Sequence, residues 1–193
     1  RALLASAVYL PGEHDLEAEA RALPFGQERS DVVGELARTQ GARVPGRLVT
    51  SAKSWLCHGA VDRRSAILPP GAPADLERIS PVSAQARLLS HLRDAWDHRF
   101  PDAPLAEQRV ILAVPASFDA IARTLTLEAA EAAGISADLA LIEEPQAAFY
   151  DYYAHNRKTL AEEKKDRLVL VVDVGGGTTD LTLISVKWDG DAP

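Results

Sequence analysis

The chain has 193 residues, of which 47% are apolar and 25% charged, with a formal net charge of −7. That length holds one domain or two small ones with a real core, and the acidic balance argues against nucleic acid as the main partner. No apolar run approaches the roughly 18 residues of a membrane helix and no basic-then-apolar leader opens the chain, so no membrane partner is expected; the single Cys57 rules out an internal disulfide and fits a reducing compartment.

Ala7–Leu10 reads as a short strand closed by Pro11-Gly12. Glu13–Leu23 is acidic and alanine-rich, a loop or a weak strand. Ser30 is placed to cap a helix from Asp31 to about Gln40, with Val32, Val33, Leu36 and Ala37 on one face and Gly41 at its C-terminal end. Pro45-Gly46 is a turn. Leu48–Cys57 follows and carries Lys53 in a small, apolar context, where a solvated surface lysine is the plain alternative to a functional one. Val61–Leu68 reads as a strand or hairpin arm, and Pro69-Pro70-Gly71-Ala72-Pro73 as a break at a subdomain edge.

Ser80-Pro81 is a helix start, a cap residue followed by proline in the first turn. The helix is expected to run to about Arg99, with Val82, Ala86, Leu89, Leu92, Trp96 and Phe100 as its core stripe. His91 and His98 share a face of it and read as a solvated pair, not a metal site. Arg109–Val114 is a short buried strand ending at Pro115. Asp119 caps a helix from Ala120 to Ala133, which Gly134 stops. Leu139–Ile142 is another strand; it ends in Glu143-Glu144-Pro145, where a helix to about Ala154 begins. Asn156–Arg167 is highly charged and reads as a solvated linker or hairpin loop. Strands alternating with helices make the class α/β.

The most informative stretch is Leu168–Thr182. A β-branched run ends in Asp173; Gly175, Gly176 and Gly177 follow, then Thr178, Thr179, Asp180 and a second strand-like run, Leu181 to Val186. This reads as strand, glycine turn, strand. Glycines lack Cβ, so successive N–H groups can face one anion at close range, and the two threonines add hydroxyl donors. Asp173 stands where a magnesium ion, which prefers oxygen ligands and keeps several waters, could sit. A bare hairpin without ligand is the plain alternative. The turn is neither a P-loop nor a Rossmann fingerprint, because it leads into a strand and no Gly-Lys-Ser/Thr follows. If the strands ending at Glu144 and Asp173 are neighbours, both acids face one crevice. An anion cradle, an acid for magnesium and an acid to orient water are the parts of phosphoryl transfer. The helix dipole accounts for Glu143 or Glu144 individually, but not for the acids at the glycine turn.

Val172-Asp173-Val174-Gly175-Gly176-Gly177-Thr178-Thr179-Asp180 resembles the second phosphate-binding motif of the actin-like ATPase superfamily. Val114-Pro115-Ala116-Ser117-Phe118, with Arg123 and Ala133-Gly134-Ile135 after it, resembles a segment of DnaK-type heat-shock-protein-70 chaperones. Ile142-Glu143-Glu144-Pro145-Gln146-Ala147-Ala148 resembles their Asn-Glu-Pro-Thr-Ala-Ala motif, and Ala52-Lys53 the pair that supplies their catalytic lysine. The four segments match in order and spacing across nearly the whole chain.

The resemblance implies an actin-like ATPase (ribonuclease-H-like) fold, present as the first lobe plus the opening β-hairpin of the second. It divides the chain into an upper subdomain over 1–81 with a leading strand in 1–11, a lower subdomain over 82–167, and the start of the second lobe over 168–193. It implies that Gly175, Gly176, Gly177, Thr178 and Thr179 bind the phosphates of ATP or ADP. Asp173, with Asp180, acts on Mg2+ through water. Glu144 orients the attacking water, Lys53 stabilises charge on the γ-phosphate, and Pro115 with Arg123 relays nucleotide state to a peptide-binding domain. Implied partners are polypeptide clients, a J-domain co-chaperone and a nucleotide-exchange factor, in a cytoplasmic stress-response protein. Glu143 for asparagine, Gln146 for threonine, Thr179 for phenylalanine and Ser-Trp-Leu-Cys-His after Lys53 mark a divergent bacterial member. Both ends look cut: the first phosphate hairpin is expected before Arg1, the adenosine motif and peptide-binding domain after Pro193. The chain alone is therefore expected to be inactive. Its exposed sheet edges are expected to favour pairing between chains. An MreB-type bacterial actin, which shares the glycine turn and a Glu-Glu-Pro-x-Ala-Ala, and a small-molecule kinase of the same superfamily are the alternatives.

Overall fold

The computed structural model describes residues 3–25, 30–135, 137–163, 165–175 and 179–188, with the side chains of 18 and 19 left out. The chain divides into two compact units: Arg1–Val110 with Asp119–Leu139, and Ile111–Phe118 with Ala140–Pro193.

In the first unit, strand β1 (Ala7–Tyr9) lies between β2 (Val32–Val33) and β3 (Leu48–Thr50), antiparallel to both. All three residues of β1 are buried, so it has a core on each face. The period of two sends Val8 and Leu10 to one side, with Val33, Val49, Leu68, Ala84 and Leu88, and Ala7 and Tyr9 to the other, with Leu16, Val32 and Ala37. Tyr9 is buried whole, and its hydroxyl donates to Asp15 Oδ2 at 2.7 Å. Burial, then that hydrogen bond, pushes the phenol up to about 12.

Several expectations are corrected here. Part of the acidic Glu13–Leu23 stretch is a helical turn, α1 (Ala18–Arg21). The helix expected from Asp31 starts later, as α2 (Glu35–Arg43), because Val32 and Val33 pair with β1 and Gly34 turns the chain at φ 79°. Its N–H donates to the Ala7 carbonyl at 3.0 Å, which couples the turn to the strand. Gly41 is not the end of this helix but a buried position within it, where a Cβ would meet the Leu48 side chain at 2.5 Å. Gly41→Ala is therefore expected to destabilise. Overpacking costs about 1–3 kcal/mol, against roughly 1 kcal/mol gained from helix propensity; urea denaturation reads the sign.

Val61–Leu68 is not a hairpin arm. Asp62 turns the chain locally, accepting from the Arg64 N–H at 3.0 Å and the Ser65 hydroxyl at 2.6 Å, and only Leu68 makes a bridge, with Ile79. Helix α4 (Pro81–Arg99) begins as expected, with Ser80 Oγ accepting from the Ser83 N–H at 3.0 Å. Its buried face matches the expected stripe only at Leu89. Ala84, Leu88 and Leu89 are buried, while Leu92, Trp96 and Phe100 are 38–48% exposed. The helix carries two apolar stripes, and Ala84 and Leu88 are the ones that join the sheet core. Trp96 and Phe100 instead pack on each other at 4.6 Å, with Trp96 Nε1 donating to the Ala103 carbonyl at 2.8 Å. His91 and His98 both lie against Phe25, His91 edge-on at 5.3 Å. Helix α5 (Ala120–Ala132) packs on α4; Arg93 of α4 donates to the Ala133 carbonyl, and Gly134 and Ile135 close the end by bonding back to Glu131 and Ala130.

The second unit holds most of β4 (Val110–Val114) and β5 (Leu139–Glu143), which pair, then α6 (Glu144–Glu163) and the hairpin β6 (Arg167–Val174) with β7 (Thr179–Val186). β4 is less buried than expected: Ile111 is exposed and only Val114 is buried. Helix α6 continues well past Ala154 into the charged segment expected to be a loop. Arg, Lys, Glu, Ala and Leu are good helix formers, and Leu160 is buried on it. Among the described residues no helix is long and apolar enough to cross a membrane.

Candidate functional site

The hairpin forms because two β-branched runs of eight residues flank a glycine turn and pair in unbroken antiparallel register, from Arg167↔Val186 to Val174↔Thr179. In that register Asp173 lies directly opposite Asp180, one step back from the mouth of the turn. Side chains of paired residues share a face, so both carboxylates lie on the side of Val171 and Thr182. Asp173 and Gly175 are exposed, Asp180 is half-buried and Thr179 is exposed. Gly176, Gly177 and Thr178 lie outside the described residues. Like charges placed directly opposite repel, and a pair of carboxylate oxygens is the donor set that a hard divalent cation such as magnesium takes. Among the described residues no three His, Cys, Asp or Glu side chains converge on one point; magnesium is held by as few as one or two carboxylates, with water filling its other positions.

Glu144 is the first residue of α6 and follows β5 without a break. Gln146 reaches back so that its Oε1 accepts from the Glu143 N–H at 3.5 Å, in the manner of a capping box. The residue that departs from the threonine of the resembling motif thus serves the start of the helix. The condition for Glu144 and Asp173 to face one crevice is that their strands be neighbours; among the described residues β5 pairs with β4, and β6 pairs with β7, so the two acids share a unit but no strand pairing.

Lys53 sits on a one-turn helix, α3 (Ala52–Trp55), and is half-buried. Ser51, immediately before it, adopts the left-handed conformation at φ 55°, unusual for a residue other than glycine. Strain of this kind persists only where the surroundings impose it. Nothing in the sequence signals it, because Ser51 carries no turn signature there. Arg123 lies on α5 in the same unit as Lys53, half-buried; Pro115 follows β4 in the other unit. Cys57, just past α3, is half-buried and forms no disulfide.

The loop after α3 carries two arginines that sequence reasoning missed. Arg63 makes a bidentate pair with Asp119, at 3.0 Å for each bond, and Arg64 pairs with Glu128. Asp119 is the expected cap of α5, with Oδ1 accepting from the Ala122 N–H at 2.6 Å. Two adjacent arginines in a loop are a weak signal; which acids they meet depends on the packing of α5. Arg63, then the Ala122 N–H, holds the Asp119 carboxyl down at about 2, against an ordinary value of 3.8. A carboxyl lowered on folding contributes stability that is complete above its ordinary value and lost as pH falls through its folded value. Acidification from about pH 4 to about pH 2 is thus expected to release Arg63 from Asp119. A carbon-detected titration of Asp119 checks this, and a midpoint near 4 contradicts it.

Residues 22–191 match the family model described as Hsp70 protein. The chain is 30% identical over 181 residues to heat shock 70 kDa protein BIP3 of Oryza sativa subsp. japonica, covering 83% of this chain and 25% of that protein. It is 29% identical over 164 residues to a chaperone protein HscA homolog of Burkholderia multivorans, covering 80% and 25%. Against chaperone protein DnaK of Methanothermobacter thermautotrophicus the figures are 28% over 162 residues, 83% and 24%. The chain spans about a quarter of the length of these relatives. The match does not favour the bacterial-actin and kinase alternatives. It fixes the fold as part of an actin-like ATPase domain, of mixed α and β structure. A family model matched over most of the chain, with the glycine hairpin at the end of that match, makes this chain a member of the Hsp70 family.

Proposed function

We propose that the chain is part of the ATP-binding and hydrolysing domain of a DnaK-like chaperone, a nucleotide-driven switch for polypeptide binding. The observation that carries this reading is the Asp173↔Asp180 pair across the mouth of the glycine hairpin. Asp173 and Asp180 would hold magnesium through water, and the ion would supply charge neutralisation on the phosphates of ATP. Gly175 and Thr179, with Gly176, Gly177 and Thr178, offer N–H and hydroxyl donors to the phosphates. Glu144 orients the water that attacks the γ-phosphate, and Lys53 stabilises the charge that develops there. Pro115 and Arg123 relay nucleotide state. The division at 81 and 167 separates the Lys53-bearing part, the Glu144-bearing part and the hairpin.

In this reading the whole protein is cytoplasmic, handles polypeptide clients and answers to a J-domain protein and an exchange factor. The departures at Glu143, Gln146 and Thr179 support a divergent bacterial member, and residues 1–193 alone bind ATP poorly. Phosphate release from magnesium-ATP by the full-length protein tests the proposal. Slow turnover abolished by chelation is expected; polymerisation with ATP in a pelleting assay would instead favour the filament reading. Tight micromolar binding of ATP to residues 1–193 in calorimetry would overturn the expectation for the isolated chain.

A further inference from the structure

Arg63 joins two stretches that the chain separates by more than fifty residues. Its Nη1 and Nη2 donate to Asp119 Oδ1 and Oδ2, and its Nε donates to the His58 carbonyl at 3.4 Å. The His58 N–H in turn donates to the Trp55 carbonyl at 3.2 Å, at the end of α3. On the other side, the Asp119 carboxylate caps α5, and its carbonyl accepts from the Arg123 N–H at 3.0 Å. A single arginine side chain, one-tenth exposed, therefore spans from the turn behind Lys53 to the turn that carries Arg123.

The Asp119 side chain is half exposed, and an ion pair open to water adds little stability. What a two-point planar pair does supply is direction, because guanidinium and carboxylate lock in one plane. A second strap, Arg64 to Glu128, grips the same helix further along.

We propose that the Arg63–Asp119 pair is a coupling clamp, which makes α3 and the first turn of α5 move together and so ties the setting of Lys53 to that of Arg123. Arg63 is a positioning residue; it acts through the other two and rests on the roles proposed for them above. The clamp needs both its charge and its fork, whereas the cap of α5 needs only an oxygen at 119.

The test uses the full-length protein with Arg63→Gln, Arg63→Lys, Asp119→Asn and the double variant Arg63→Gln/Asp119→Asn. Asn keeps the cap and loses the ion pair. Each single change is expected to lower kcat for ATP about 10-fold with KM nearly unchanged, as misplacement of a positioned group does. Lysine at 63, a point charge without the fork, recovers little. The double variant is expected to lose no more than either single one. Hydrogen exchange, read on the same proteins without nucleotide, is expected to accelerate at amides 54–58 and 120–123 together. A kcat within twofold of the parent in both Arg63→Gln and Asp119→Asn overturns the clamp, as does faster exchange confined to one of the two segments. A parent that hydrolyses no ATP sinks the nucleotide reading instead; the clamp then stands or falls on the exchange result.

Discussion

Replacing Lys53 by alanine in the full-length protein is expected to lower ATP turnover by about 100-fold or more while leaving ATP binding largely intact. Charge builds on the transferred phosphoryl group in the transition state, and phosphoryl transfer is mostly positioning and charge stabilisation. A cation aimed at that group acts more strongly on the transition state than on bound ATP, so kcat falls and affinity does not. That is the role proposed for Lys53 above. It projects from a single helical turn held at one end by the strained Ser51 and at the other by Leu56, which is buried. Single-turnover phosphate release and a nucleotide titration measure the two quantities separately. A Lys53→Ala protein turning over at the parental rate would mean that this lysine is not the one the Ala-Lys resemblance suggests.

Leu125→Ala is expected to cost about 3 kcal/mol of stability, within the 2–5 kcal/mol range for emptying a buried leucine site. Leu125 is fully buried on α5, on the face it shares with Ala122, Thr126, Ala129 and Ala130. That face is lined by small residues, and α4 packs against α5. The alanines beside it on α5 have no side chain to swing into the void, so relaxation from that side is limited and part of the cavity term is retained. The loss is read as a shift in the urea midpoint at unchanged slope. A change below about 1 kcal/mol would mean that the two helices slide together to fill the gap.

The hairpin was legible from sequence because its signals are local. Two β-branched runs and a glycine-rich stretch between them point to the two strands, whereas the opposition of Asp173 and Asp180 comes from the register of the pairing. The caps at Ser80 and Asp119 were legible for the same reason, each being one side chain bonding to an N–H three residues on. Helix α4 shows where such reading stops. Its apolar residues fit two stripes about equally, and only the sheet beneath Ala84 and Leu88 decides which is buried. Val32 and Val33 suit a helix face or a strand, and pairing with β1 settled them as a strand. The charged tail of α6 has the composition of a loop and the helix propensity of α6 itself.

By itself the sequence determined what lies within a few residues: the two strands of the hairpin, the acids on them, the helix starts at Ser80 and Asp119, and the family. Only the tertiary structure decided which strands share a sheet, which stripe of α4 is core and which acids Arg63 and Arg64 grip. Those outcomes depend on contacts between residues far apart in the chain. Burial and charge pairing are won there by whichever surface fits, and no local pattern of residue types encodes the fit.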